Sequence, residues 1–281
     1  PSPPYLLNQR THIHPPQPAP VHVPCHALFA LRPWHQRLPL TLPLPWLALS
    51  WALYASPLWP LGALASFMFF LCPLRLNHAA IHGNLGLPRR FDIALLHLLS
   101  AVMMGCNSSV AWSHMQHHRH AMGPGDLEGH CGNMNAGEVP LYGPRFPLDL
   151  IRHCWQGGGR KCQRRMLRDG LCVAVTVGAI VLSGVDFLLL HLAAMAVAQC
   201  LTAFFAVWIT HQGTAHSGLA GRSQRGILAR LAYLMFYHRE HHLFPKVPVS
   251  RLPDLAARLD ADVLGYAKAR QPVVPWLDSG A

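Results

Sequence analysis

Three short runs of histidine have the spacing that metal chemistry needs: His78-Ala-Ala-Ile-His82, His114-Met-Gln-His117-His118 and His238-Arg-Glu-His241-His242. Residues i and i+4 share a helix face, and so do i, i+3 and i+4. Each run therefore predicts a helix that points two or three imidazoles the same way. Imidazole suits borderline metals such as Fe, Zn or Cu. The eight imidazoles of these runs are too many for one tetrahedral zinc and suit two metals with four to five ligands each. A single HxxxH is a weak signal, but an HxxxH followed by two HxxHH runs is a specific one. The competing reading, unrelated solvated histidines, fits the N-terminal His12, His14, His22, His26 and His35, which show no ligand spacing.

Each run needs a helix to hold it, and composition says what kind. The chain has 281 residues, 51% hydrophobic and 12% charged, with a mean hydropathy of +0.21. Soluble domains carry about a quarter charged residues, so an ordinary cytosolic enzyme and a disordered chain are both disfavoured. Apolar, nearly uncharged stretches occupy 38–54, 58–76, 171–185 and 187–210. At ~1.5 Å per residue such lengths approach a ~30 Å hydrocarbon core. A further apolar stretch, 93–110, contains His97 and ends in Asn107-Ser108-Ser109, so it is expected to lie at the interface or to re-enter. The expected fold is all-α and integral to a membrane: four transmembrane helices with a histidine-rich two-metal cap. Residues 1–37, dense in Pro and His, read as an extended arm, and 38–281 as one membrane domain.

Charge sets an expected orientation. The 23 Lys+Arg against 12 Asp+Glu give +11. Every Lys and Arg falls in 1–37, 75–92, 112–170 or 211–281, and the two short inter-span links carry none. Four spans with both termini inside put all of them, and the histidine runs, on the cytoplasmic side. The basic excess then reports topology, and with no DNA- or RNA-binding motif it argues against nucleic acid. The eight Cys form no CxxC pair, which argues against a zinc ribbon and a compact disulfide framework. The first 30 residues lack a continuous apolar stretch, so no signal peptide is expected.

The order HxxxH, HxxHH, HxxHH in such a chain resembles the membrane fatty acid desaturase superfamily. The run from Tyr237 to Pro248 (YHREHHLFPKVP) looks like that family's last histidine box with its trailing LFPxxP, and Trp112-Ser-His114 is similar to the lead-in of the second. The resemblance covers roughly 40–260. It implies a non-haem di-iron centre, held mainly by His78, His82, His114, His117, His118, His238, His241 and His242, that uses O2 to remove hydrogen from an unactivated C–H bond. It also implies a ninth ligand from an Asn-x3-His at the end of the fourth span. Here Gln212-x3-His216 has that spacing, with Gln in place of Asn. His216 is carried over as a ligand and Gln212 as a water-mediated one; His211 could serve instead or support from behind.

Other polar residues have plainer readings. Asp126, Glu128 and Glu240 could accept the outer N–H of a ligating imidazole, as metal sites usually require, and Glu240 lies inside the third run. His120 would leave the ligand face and support it from outside. Asn77 either supports the first run or caps its span. His97 and His191, in apolar stretches, are expected to hydrogen-bond a neighbour.

The resemblance implies a lipid-like substrate in the bilayer, with a fatty acyl chain desaturated. A hydroxylase or ketolase of a carotenoid, alkane, sterol or specialised metabolite is the alternative, since the two outcomes differ by small shifts of substrate. A non-catalytic metal-binding membrane protein is the alternative of another class. No HPGG-type haem segment, CxxC pair or GxGxxG is present, so two electrons are expected from a separate ferredoxin, rubredoxin or cytochrome b5. Arg160, Lys161, Arg164 and Arg165 could dock such an acidic donor.

Overall fold

The computed structural model describes residues 25–120, 122–214 and 221–279. Most of the expected N-terminal arm, with His12, His14 and His22, lies outside these residues, as does His216. The described part of the arm is not all extended, because α1 (Pro33–Thr41) begins inside it. Proline is tolerated there, since the first-turn N–H has no partner to lose.

Among the described residues the chain is helical, with one isolated bridge between Ser223 and Tyr237. Three helices are long and apolar enough to cross a membrane: α3 (Trp59–His82), α9 (Gly159–Ser183) and the continuous stretch Asp186–His211. They cover the expected span 187–210 in full, all but the first residue of 58–76, and all but the last two of 171–185, where α9 ends at Ser183. The expected span 38–54 is instead divided between α1 and α2 (Pro43–Tyr54), neither long enough alone. Pro39, Pro43 and Pro45 remove the N–H groups that would have joined the turns. α2 still packs along α3 as a hairpin, where Ser66 Oγ donates to the Tyr54 hydroxyl at 3.0 Å.

The 93–110 stretch folds as α4 (Arg89–Met103) and α5 (Asn107–His120), bent by 116° at the break. Met104 ends α4 in the left-handed region at φ 54°. If this pair is one span, the count rises to four. α9 starts well before residue 171, because its Arg/Lys-rich first turns turn Met166 and Asp169 inward and their charges outward.

Asp169 pins the bend. Its carboxylate, fully buried, meets His97 Nδ1 at 2.5 Å and accepts the Ser108 backbone N–H at 2.7 Å and the Cys106 thiol at 3.5 Å. One side chain of α9 thus holds both α4 and the start of α5. His97 has the partner the sequence leads one to expect; His191 Nε2 reaches the Val102 carbonyl at 3.3 Å. Asp169→Ala would leave several buried donors unpaired, at about 1–3 kcal/mol each in unfavourable cases. A drop of several degrees in the detergent-solubilised melting temperature is the expected result, and an unchanged melt would show that the tie carries no weight.

Short helices follow: α6 (Leu127–Gly132), α7 (Glu138–Tyr142) and α8 (Phe146–Gly157) precede α9. The third long stretch consists of α10 (Asp186–Thr202), a π-helical turn (Ala203–Trp208) and α11 (Ile209–His211). α12 (Gly226–Leu231), α13 (His238–Leu243) and α14 (Leu252–Asp262) form a cap whose core is Tyr237, Val247, Val249, Leu252, Leu255 and Leu259.

Candidate metal centre

The last turns of α3 present His78 and His82, the last turns of α5 present His114, His117 and His118, and α13 presents His238, His241 and His242. α11 adds His211. These rings gather into two tetrads. His78, His82, His114 and His241 form one, and His117, His211, His238 and His242 the other; within each, the nitrogens on offer lie within 4.8 Å of one another. His118 sits against the first, its Nε2 3.1 Å from that of His114 and 2.9 Å from that of His241. The HxxHH runs therefore do not each serve one metal. α5 sends His114 to one tetrad and His117 to the other, and α13 likewise divides His241 from His238 and His242.

Outer contacts fix which nitrogen of three rings faces inward. Glu128 meets His114 Nδ1 at 3.0 Å, Asp126 meets His117 Nδ1 at 2.7 Å, and the Val207 carbonyl meets His211 Nδ1 at 2.8 Å. Each acceptor holds the ring proton on Nδ1 and leaves the Nε2 lone pair facing the tetrad. Burial alone would raise both carboxyls, but His117 outweighs it and holds Asp126 down at about 2, while His114 holds Glu128 below its ordinary value. Both stay ionised. Burial first, then neighbouring imidazoles, push His238, His241 and His242 well below the ordinary histidine value, so these rings are neutral.

Inward lone pairs then crowd together: Nε2 atoms stand 3.0 Å apart in His82–His114, 2.9 Å in His211–His238 and 3.1 Å in His117–His242. Both ring nitrogens of His78 are buried with no hydrogen-bond partner among the described residues. Imidazole Nε2 atoms packed against one another, with an orphaned imidazole among them, are relieved by cations between them. The donor set fits two borderline metal ions.

A model of the fatty acid desaturase family matches residues 51–273. The chain belongs to that family. No curated protein matches it.

In this desaturase-family chain the remaining candidate residues are placed as follows. Glu240 does not support an imidazole. Fully buried, it accepts from Ser223 Oγ at 2.7 Å, Arg225 Nη2 at 2.9 Å and the Tyr266 hydroxyl at 3.1 Å. As the residue two before His242 it points off the opposite face of α13 and ties the third box to the cap. The outer acceptors are instead Asp126 and Glu128. His120 is exposed, beyond the end of the ligand face. Asn77 Nδ2 donates to Asn107 Oδ1 at 3.0 Å, joining α3 to α5 just before their histidines. Gln212 follows His211 half-buried, and its carbonyl accepts from Arg222 Nε at 2.7 Å.

His211 stands in a tetrad, a place that sequence reasoning offered it only as a substitute. The π-helical turn before it widens the helix, and side chains use the freed carbonyls: Val207 O accepts from Thr210 Oγ1 at 2.9 Å and from His211 Nδ1. Such turns recur at functional sites. Two glycines give the second tetrad room. A Cβ on Gly132 would stand 2.8 Å from His211 Cβ, and one on Gly221 would stand 2.8 Å from His238 Cδ2. Gly221→Ala should therefore displace His238 and cut bound metal from about two ions per chain toward one, read by elemental analysis. Gly178→Ala, where a Cβ meets nothing within 4 Å, is the control and should keep both.

Proposed function

We propose that the chain is an O2-dependent di-iron membrane oxidoreductase that introduces a double bond into a fatty acyl chain. The observation that carries the reading is the pair of buried imidazole tetrads, which both draw on α5 and α13, in a member of the fatty acid desaturase family. His78, His82, His114 and His241, with His118 beside them, would hold one iron, and His117, His211, His238 and His242 the other; His216 is proposed as a further ligand. When bound, the irons supply the reaction of O2 with an unactivated C–H bond.

The chain's own groups do the rest. Asp126 and Glu128 hold the Nδ1 protons of His117 and His114 and keep their rings from turning. Burial of His117, His211 and His241, each at most 1% exposed, keeps bulk water from the centre. The arrangement demands two external electrons, for which a separate ferredoxin, rubredoxin or cytochrome b5 is proposed. Arg160, Lys161 and Arg164 are exposed on the first turns of α9, with Arg165 half-buried beside them, as a basic face for an acidic donor. We place the protein as multi-pass, with termini and boxes on the cytoplasmic side, by the distribution of Lys and Arg.

The test is expression in a host with a matched electron donor, followed by lipid and metabolite profiling and by elemental analysis of the purified protein. About two irons per chain and a new double bond are expected. A new oxygen atom with two irons would move the reaction to hydroxylation or ketolation. Bound metal with no product under any donor would leave a metal-binding membrane protein.

A further inference from the structure

Outside the imidazole cluster, one pair of thiols stands out. Cys154 lies in the last turn of α8 and Cys162 in the first of α9, joined through Gly157-Gly158-Gly159. Their Sγ atoms are 2.8 Å apart. A disulfide has its sulfurs about 2.05 Å apart, so closure needs a movement of under about 1 Å. The joint is shaped for this approach. Gly159 takes φ +69°, and a Cβ on Gly158 would stand 2.7 Å from Cys162 Cβ and from the Cys154 carbonyl oxygen.

The two thiols differ in access. Cys154 is fully buried. Cys162 lines a cavity of about 260 Å³ together with Ser108, Trp112, Met115, Lys161 and Arg165. Positive charge beside a reachable thiol and a shielded partner within contact are the features of a reactive cysteine with its resolving thiol. The other six cysteines (Cys25, Cys72, Cys106, Cys131, Cys172 and Cys200) show no such sulfur–sulfur contact among the described residues.

We propose that Cys154 and Cys162 are a reversible thiol–disulfide site that takes hydrogen peroxide as its oxidant. The Cys162 sulfur attacks one peroxide oxygen; the O–O bond breaks, water leaves, and a sulfenic acid remains on Cys162. The Cys154 thiol then attacks that sulfur; the S–O bond breaks, a second water leaves, and the S–S bond forms. Two thiols and one peroxide give one disulfide and two waters, with two electrons passing from sulfur to oxygen. A dithiol reductant reverses the change. The bond locks the joint of α8 and α9 at a cavity whose other walls include Ile81 and Met115, the neighbours of His82 and His114. Neither sulfur belongs to a tetrad, so metal content is unaffected.

The experiment treats the full chain in lipid nanodiscs with hydrogen peroxide, quenches with catalase, alkylates free thiols and digests without reduction. Mass spectrometry should find a Cys154–Cys162 cross-linked peptide, absent after dithiothreitol, with the other six cysteines alkylated. In Cys154→Ser the cross-link should vanish and Cys162 should advance to sulfinic acid. Met115, 45% exposed in the same cavity, reports the oxidant dose through its sulfoxide. The proposal is overturned if wild-type Cys162 reaches sulfinic acid while Cys154 remains alkylatable, if Cys162 pairs with Cys106, or if both thiols survive a dose that oxidises Met115.

Discussion

His211→Ala should empty one metal site and abolish turnover, while the protein still inserts and keeps its other metal. His211 Nε2 lies 2.9 Å from that of His238 and 3.3 Å from that of His242, and the ring is fully buried. No other side chain in its tetrad comes from the third long stretch, so its loss opens that side of the site. Removing an outer partner of a metal ligand costs about 10–100-fold in affinity or activity, and removing the ligand itself should exceed that. Elemental analysis should show about one metal per chain instead of two, with product below detection. His82→Ala is the matched experiment for the other tetrad and should also leave about one. His120→Ala, at an exposed position on the same helix as His117, should leave both metals and full turnover. Retention of two metals by His211→Ala would remove His211 from the ligand set and return that place to Gln212 and His216.

The three boxes were legible because helix periodicity is local. Four residues make a face whatever the helix packs against, so His78 and His82 had to point together. How α5 and α13 divide their imidazoles between two tetrads was not legible, because it depends on where those helices cross. His114 and His117 are three residues apart and only about 60° apart around the axis. The neighbouring helices decide that one meets His82 and the other His242. His211 was harder still. Its direction depends on a π-helical turn through AFFAVW, six apolar residues that carry no sequence mark of the extra width. Glu240 was misread for a related reason. Its place inside the box suggested a role toward the metal, yet at its helix position it faces away and meets Arg225 and Tyr266, residues whose approach only the folded cap reveals. At the other end, the prolines at 39, 43 and 45 were visible, but the apolar run around them read as one span. Hydropathy sums over residues, whereas a helix breaks at individual N–H groups.

Asp126→Ala and Glu128→Ala should weaken different metals. Asp126 holds His117 at 2.7 Å and also accepts the Met122 backbone N–H at 2.9 Å, whereas Glu128 holds His114 at 3.0 Å. His117 belongs to the tetrad that contains His211, and His114 to the tetrad that contains His82. Each substitution frees one ring to rotate or to move its proton to Nε2, where the proton would compete with the metal. The expected cost is about 10–100-fold in affinity at the affected site and little at the other, measured by stepwise chelator titration with Asp126→Ala and Glu128→Ala in parallel. The Asp126 carboxyl, held down at about 2, should also separate the two sites on acidification. A carboxyl with a depressed folded value stabilises the fold fully above its ordinary value near ~3.9 and loses that contribution as pH falls toward the folded one. Between about pH 4 and 7 Asp126 therefore remains ionised and His117 remains held. In Asp126→Ala the grip is gone at every pH, so metal loss during an acid titration should begin at a higher pH than in the wild type, and only at the His117 site. Equal losses from both sites in both variants would show that the carboxylates support the fold in general and do not act through a particular imidazole.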